Sequence, residues 1–431
     1  MARDSGGGRR VAHLRVVHGR AEAEVYELGP EGLEIGRGCD GLRIDDQRAS
    51  RRHVRVFHAA AGWCLEDLGS RNGGFLDGRA FAPGTTQAPL ADGALIRLAN
   101  SLFVLRLSPA PNAEPEPPAL VAAFPGVSPQ AREVRRRLAA LAGGAGHVLV
   151  LGEAGVGKER VARAIAGDRA VVAVDCGALA GERGRGELLV HASGAAWPAL
   201  VATAKDCVLL LDEIGDLSLA RQAELLRFLD DGTHRVVGDA HALRGEARVV
   251  ATTRGYLERA AERGDFRRDV LARLRASHAP LAIPALRDRR EDLVGWSARF
   301  ARDAGLEADA LWTAGALECV MLFPWSKNLR ALRQVVHDLV AAGGPPPWSS
   351  EMLPDELRAH RSVVRARGAI EAAPARDSLP VPTRQAIEAA MIEAHGNMAA
   401  VARRLGVEPS RLYRLCSAFE LRYEDDFVTP P

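Results

Sequence analysis

Cysteine is scarce in this 431-residue chain: Cys39, Cys64, Cys176, Cys207, Cys319 and Cys416 lie far apart, with no CxxC. That spacing argues against a disulfide framework or a cysteine-built zinc site and fits reduced, buried thiols. A surplus of one charge is missing too. Lys and Arg number 57 against 55 Asp and Glu, a formal net charge of +2. The chain is therefore no basic nucleic-acid coat, and any DNA contact has to come from a local patch. No long apolar run is present. The opening MARDSGGGRR is polar, without the apolar core of a signal peptide. Apolar stretches such as Val208–Leu211 fall far short of the ~20 residues that span a bilayer. These absences predict a cytoplasmic protein with no membrane partner.

What is present divides into blocks. The length suits two or three domains. Ser108–Ala119 carries five prolines and reads as an extended linker. Gly343–Trp348 (GGPPPW) closes the middle block, and Arg365–Pro382 lacks helical periodicity. Residues 12–107 show short β-branched or alternating runs between Gly, Asp and Asn turns, an all-β pattern. Residues 120–342 alternate helical stretches with apolar runs (HVLVLG, AVVAVD, CVLLLDE, ARVVATT) of the buried parallel-strand kind. Residues 343–382 read as a second linker, and 383–425 as helical throughout.

In the middle block, Gly152-Glu153-Ala154-Gly155-Val156-Gly157-Lys158-Glu159 follows one apolar run and opens a helix. Glycines let backbone N–H groups converge on phosphates, and the helix dipole favours the anion. Lys158 is placed to reach the β- and γ-phosphates of ATP. Glu159 stands where a generic loop of this kind has Ser or Thr for magnesium. A second apolar run ends in Asp212-Glu213, acids suited to holding Mg²⁺ (Asp212) and polarising a water (Glu213).

Together these residues resemble the AAA+ ATPases, and among them the bacterial activators that work with sigma-54 RNA polymerase. In that family the loop normally ends Gly-Lys-Glu, as here. LDEIGDLSLARQAELLRFLDDG (Leu211–Gly232), GDFRRDVLARL (Gly264–Leu274), LAIPALRDRREDL (Leu281–Leu293) and WSKNLRALRQV (Trp325–Val335) carry the resemblance. It implies an α/β P-loop domain with an α-helical lid at about 287–342. It further implies Arg267 and Arg273 as arginine fingers acting in trans, Arg330 as nucleotide sensor, Thr253 at the polar sensor position and Asp175 as a switch partner of Glu213. Fingers in trans imply a homo-oligomer, between a dimer and a hexameric ring. The family's GAFTGA loop, which touches the sigma factor, is absent between Cys176 and Asp212.

Gly36-Arg37, Ser50-Arg51-Arg52-His53, Asp67 to Gly73 (DLGSRNG) and Asp77-Gly78 follow in order through the first block. The set resembles the forkhead-associated (FHA) domain, a β-sandwich that binds phosphothreonine peptides through its loops. A phosphothreonine carries roughly −1.5 to −2 charge and several acceptor oxygens. The resemblance assigns Arg37, Ser50 and Arg51 to the phosphate, Arg71 and Asn72 to the peptide backbone, and His53 to bracing.

In the last block Ile387, Ala390, Met391 and Ala394 form one helical stripe. Gly396-Asn397 breaks it, Gly406 ends a second helix, and Pro409 starts a third. GNMAAVARRLGVEPSRLYRL resembles the Fis-type helix-turn-helix, with Arg403, Arg404, Ser410, Arg411, Tyr413 and Arg414 as DNA contacts on a palindromic duplex. The expectation is a multidomain chain: all-β FHA sandwich, α/β AAA+ ATPase with helical lid, all-α helix-turn-helix. Its partners would be DNA, a phosphothreonine protein and sigma-54 polymerase, and its ligands ATP and Mg²⁺. Two alternatives stand beside it: a DNA-binding regulator or repressor using ATP only for assembly, and a phosphopeptide adaptor with a degenerate ATPase.

Overall fold

The computed structural model describes residues 12–108, 116–177 and 207–372, apart from 30, 61, 88, 232, 236–241, 245, 246 and 256, together with 384, 387, 390 and 401. The chain forms two compact units, Met1–Val364 and Arg365–Pro431.

Eleven short strands open the first unit: β1 (Ala12–His18), β2 (Val25–Leu28), β3 (Leu33–Gly36), β4 (Leu42–Arg43), β5 (Val54–Ala59), β6 (Gly62–Asp67), β7 (Gly74–Leu76), β8 (Arg79–Phe81), β9 (Thr86–Gln87), β10 (Leu95–Leu98) and β11 (Ser101–Arg106). They build two sheets, ordered β2-β1-β11-β10-β7-β8 and β4-β3-β5-β6-β9. Leu14, Ile35, Val54, Val56, Leu65, Ile96, Phe103 and Leu105 fill the space between them. Every residue of β11 is buried. Phe103 and Leu105 face the sandwich interior, while Leu102 and Val104, on the opposite pleat, join a helical core further along the chain. That explains why this strand reads as a continuous apolar run. Both of its faces are covered.

Two helices follow, α1 (Pro118–Ala123) and α2 (Pro129–Leu141), and then a parallel sheet ordered β13-β14-β17-β12-β18. Its strands are β12 (Val148–Leu151), β13 (Val171–Asp175), β14 (Val208–Asp212), β17 (Arg248–Thr253) and β18 (Leu281–Ala282); the hairpin β15 (Thr233–Arg235) and β16 (Ala242–Arg244) stands apart. Helices α2 and α3 (Lys158–Ala166) cover one face through Val134, Leu138, Val161 and Ile165. Leu225 and Phe228 of α4 (Leu219–Asp231), Leu257 of α5 (Leu257–Arg263) and Val270 and Leu274 of α6 (Arg268–Arg275) cover the other. A helical lid completes the unit: α7 (Asp292–Asp303), α8 (Ala314–Leu322), α9 (Asn328–Ala341) and the start of α10 (Asp355–Ala372). No described helix is long and apolar enough to cross a membrane.

Both expected linkers differ from the structure. Helix α1 begins at Pro118, inside the stretch 108–119, with proline at its first turn where no N–H is needed. The larger correction concerns 343–382. Trp348 is fully buried and stacks edge-on against Trp312 at 5.1 Å. Leu353 and Leu357 join the lid core, and α10 runs on to Ala372. The neighbouring Pro, Ala and Arg residues dilute these three anchors in the sequence. Burying each nonetheless contributes on the order of 1.5–3 kcal/mol.

In the second unit, Ile387 and Ala390 are helical and buried. The candidate DNA contacts Arg403, Arg404, Ser410, Arg411, Tyr413 and Arg414 lie outside the described residues, as does the stretch 178–206.

Candidate functional site

Strand β12 delivers the chain into the glycine loop, and Gly157, at φ +105°, caps α3. Gly155 also has positive φ, and a Cβ there would collide with the Lys327 carbonyl oxygen. Only glycine serves this position. The Leu329 N–H donates to the Gly155 carbonyl at 3.0 Å, so the first turn of α9 rests on the loop. Lys158 opens α3 and is only 6% exposed. Its Nζ donates to the carbonyls of Gly152 (2.9 Å) and Glu153 (3.2 Å) and pairs with Glu213 Oε1 at 3.0 Å. Glu159, exposed on the next position, pairs with Arg163 at 2.9 Å.

The acids come from adjacent parallel strands, with Asp175 of β13 in register with Asp212 of β14. Thr252 on β17 holds their neighbourhood together: its hydroxyl donates to Asp212 Oδ1 at 2.5 Å and accepts the Glu213 N–H at 3.2 Å. Glu213 itself sits at φ +55°, a left-handed conformation that costs a non-glycine residue roughly 1–2 kcal/mol. Arg254 grips its carboxylate twice, Nε to Oε1 at 3.2 Å and backbone N–H to Oε2 at 2.9 Å. Cys176 lies beneath this cluster. Burial, then the negative charges of Asp175, Asp212, Asp216 and Glu213, push its thiol up to about 12.

Lid and loop are stitched by side chains absent from the sequence expectation. Asn328, at φ +50°, accepts the Leu286 N–H (2.8 Å) and donates to Glu153 Oε2 (3.1 Å) and the Ala154 carbonyl (3.0 Å). Arg287 grips the Glu153 carboxylate bidentately at 3.0 and 2.5 Å. Arg287, and then Asn328, hold the Glu153 carboxyl below its usual range. Arg289, wholly buried, donates to the Val156 carbonyl at 3.2 Å and lies over the Phe124 ring.

The structure thus gathers Lys158, Asp175, Asp212 and Glu213 into one region, with Arg330 exposed beside Gly155. Thr253 is buried nearby, its hydroxyl accepting the Gly255 N–H at 3.3 Å, while the contact with the acids falls to Thr252. Arg267 and Arg273 stand apart on the α6 segment. Arg267 pairs with Asp269 at 2.7 Å and Arg273 with Asp230.

A second constellation lies on the sandwich loops. A Cβ on Gly36 would strike the Arg51 carbonyl oxygen, and the Arg37 N–H donates to the Ser50 carbonyl at 3.1 Å. His53, buried, accepts the Ser50 N–H on Nδ1 (3.2 Å) and so presents Nε2–H to the Gly73 carbonyl (2.9 Å). The Arg71 N–H reaches Ser50 Oγ at 3.2 Å. Asp67 accepts the N–H groups of Gly69, Ser70 and Gly84. Although burial opposes it, bonds from Ser70 and Gly84 hold its carboxyl below the usual range. Arg37, Arg51, Arg71 and Asn72 are exposed, and among the described residues no carboxylate is in ion-pair range of the three arginines.

Comparison with known proteins agrees with this division. Residues 33–99 match the FHA domain family, 124–279 the Sigma-54 interaction domain family, and 384–414 the Fis family of bacterial regulatory proteins. The anaerobic nitric oxide reductase transcription regulator NorR of Klebsiella pneumoniae is 32% identical over 77% of this chain and 68% of its own length. The NorR of Citrobacter koseri is 33% identical over 69% of the chain, which spans 63% of that relative. Among solved structures, NtrX from Brucella abortus in complex with ADP is similar at 27% identity and a TM-score of 0.48, covering 68% of each chain.

Proposed function

Because the chain belongs to the sigma-54-interacting transcription regulators, built as FHA domain, AAA+ core and Fis-type helix-turn-helix, we propose that it couples a phosphothreonine signal to ATP-dependent regulation at a DNA site. One observation carries the reading: the glycine-loop lysine, Lys158, and Glu213, the acid directly after β14, meet at 3.0 Å, in a region whose loop admits only glycine at its turn. A γ-phosphate accepted by Lys158 and the helix N-terminus would draw the lysine off Glu213. That carboxylate would then take a proton from water as its oxygen attacks the γ-phosphorus and the bond to the bridging oxygen breaks, releasing ADP and phosphate. The donor set also suits a divalent cation, since Thr252 fixes one oxygen of Asp212 and leaves the other unengaged among the described residues. Mg²⁺ held by Asp212 would neutralise charge on the phosphate oxygens.

On the sandwich, Arg37, Ser50 and Arg51 would hold the phosphate, with Arg71 and Asn72 on the peptide backbone. Arg267 and Arg273 would serve a neighbouring subunit, Arg330 would sense nucleotide, and Arg403, Arg404, Ser410, Arg411, Tyr413 and Arg414 would contact DNA. Missing GAFTGA favours one variation: ATP would govern assembly on DNA, with contact to sigma-54 altered or lost. ATP turnover by the purified chain with Mg²⁺ tests the enzyme, and open-complex formation with sigma-54 holoenzyme tests the output. Turnover without open complexes selects the assembly reading. No nucleotide binding and no turnover would leave only two recognition modules on a spacer.

A further inference from the structure

The segment between β18 and α7 touches two domains in alternation. Arg287 grips Glu153 of the glycine loop, and Arg289 donates to the carbonyl of Val156 in the same loop. The intervening residues face the FHA sandwich. The Asp288 carbonyl accepts Arg106 Nη2 at 3.3 Å, Arg290 reaches Asp77 Oδ1 at 2.8 Å, and Glu291 takes a bidentate grip from Arg106 at 2.8 and 2.5 Å. Arg106 and Glu291 are each only 2% exposed, so this pair is desolvated and depends on both partners. Apolar packing extends the contact: Leu95, Leu102 and Val104 of the sandwich join the lid core, and a Cβ on Gly78 would meet Leu322.

The same turn connects to the other candidate site. Asp77 and Gly78 follow strand β7, whose three residues begin directly after Asn72-Gly73. A strand of that length spans roughly 10 Å at about 3.3 Å per residue. The peptide-binding loop and the lid-contacting turn are therefore opposite ends of one short, hydrogen-bonded lever.

We infer that the FHA domain is a positioning element of the nucleotide site, with Arg106 and Asp77 holding the 286–292 strap that in turn holds Glu153 and Val156 of the glycine loop. The inference rests on the proposed nucleotide reading and deepens it. By linkage, nucleotide must then alter FHA docking as much as docking alters nucleotide affinity.

The test uses the full chain with Mg-ADP as probe. Wild type is compared with the doubly neutral Arg106→Gln/Glu291→Gln, which orphans no buried charge, and with Asp77→Asn, which keeps the acceptor for the Leu95 N–H. Calorimetry should show ADP affinity weakened about 5- to 20-fold in the double variant and less in Asp77→Asn, within the usual span of coupling between sites. Hydrogen exchange supplies the reciprocal readout: ADP should slow exchange across Gly74–Phe81 in wild type and do so markedly less in either variant. Should the double variant fold poorly, Asp77→Asn carries the same two measurements. Unchanged ADP affinity and unchanged nucleotide-dependent protection in folded variants would overturn the coupling while sparing the nucleotide site. Wild type that ignores ADP would remove the nucleotide site, and the coupling with it.

Discussion

The two candidate sites of the first unit treat charge in opposite ways. On the FHA loops, Arg37, Arg51 and Arg71 stand exposed with no carboxylate in range among the described residues, while the backbone beneath them is fixed by His53, Ser50 and Asp67. Around the glycine loop most of the charged groups are already engaged: Lys158 and Arg254 with Glu213, Arg287 with Glu153, and Asp212 with the Thr252 hydroxyl. An anion arriving at the first site adds new charge-assisted bonds. At the second it must exchange partners, so its net affinity is a difference between similar terms. Small changes in the surrounding scaffold can tilt such a difference. A site built this way is open to control from a neighbouring domain, and the FHA-contacting strap is attached to it.

The largest expected effect breaks the internally paired side. Glu213→Gln should cut ATP turnover about 10²- to 10⁴-fold, the usual contribution of a general base, measured by phosphate release at saturating ATP. Near-wild-type turnover would mean that Glu213 is only a structural partner of Lys158 and Arg254. Next comes the unpaired side. Arg37→Ala should weaken a phosphothreonine peptide about 10- to 100-fold, the equivalent of losing roughly 1.5–3 kcal/mol of bonding to a charged group. Fluorescence anisotropy against the unphosphorylated peptide reads it, and equal binding of both peptides would remove the phosphate role.

The contrast was only partly legible in the sequence. Glycines and the Asp212-Glu213 strand end announce themselves because their chemistry tolerates few substitutes. Thr252 and Thr253 could not be separated that way. Neighbours on a strand point to opposite faces, and nothing in the sequence says which face carries the acids. The structure puts the Thr252 hydroxyl on Asp212. Asn328, Arg287 and Arg289 were hidden for a different reason: their partners, Glu153, Ala154 and Val156, lie more than a hundred residues away. The all-β and α/β blocks were readable from apolar periodicity, and the lid from the resemblance, yet the lid's outer edge was readable from neither. Trp348, Leu353 and Leu357 are isolated anchors in a stretch whose composition otherwise suits a spacer.

Thr252→Val is a sharper probe of the paired side, because shape is kept and only the hydroxyl is lost. It leaves a half-buried Asp212 oxygen without its donor and the Glu213 N–H without its acceptor. A stability loss of about 1–3 kcal/mol follows for such orphaned groups, read by chemical denaturation. The corresponding Thr253→Val should cost less, since that hydroxyl accepts a single bond at 3.3 Å. Equal losses would erase the distinction between the two threonines.

The smallest effect concerns pH. Arg287 and Asn328 hold the Glu153 carboxyl below its ordinary value of 4.5. A carboxylate whose folded-state value is depressed stabilises the fold above its unfolded value and loses that contribution as pH falls through the folded one. The pair is two-fifths exposed on each side, so solvent screens it, and about 0.2–1 kcal/mol is expected. Wild type and Glu153→Gln should therefore differ slightly in melting temperature at pH 7 and converge below the carboxylate range. A difference that does not shrink as pH falls through the carboxylate range would show that Glu153 acts through something other than its charge. The strap would then be held to the glycine loop by Arg289 instead of by the ion pair.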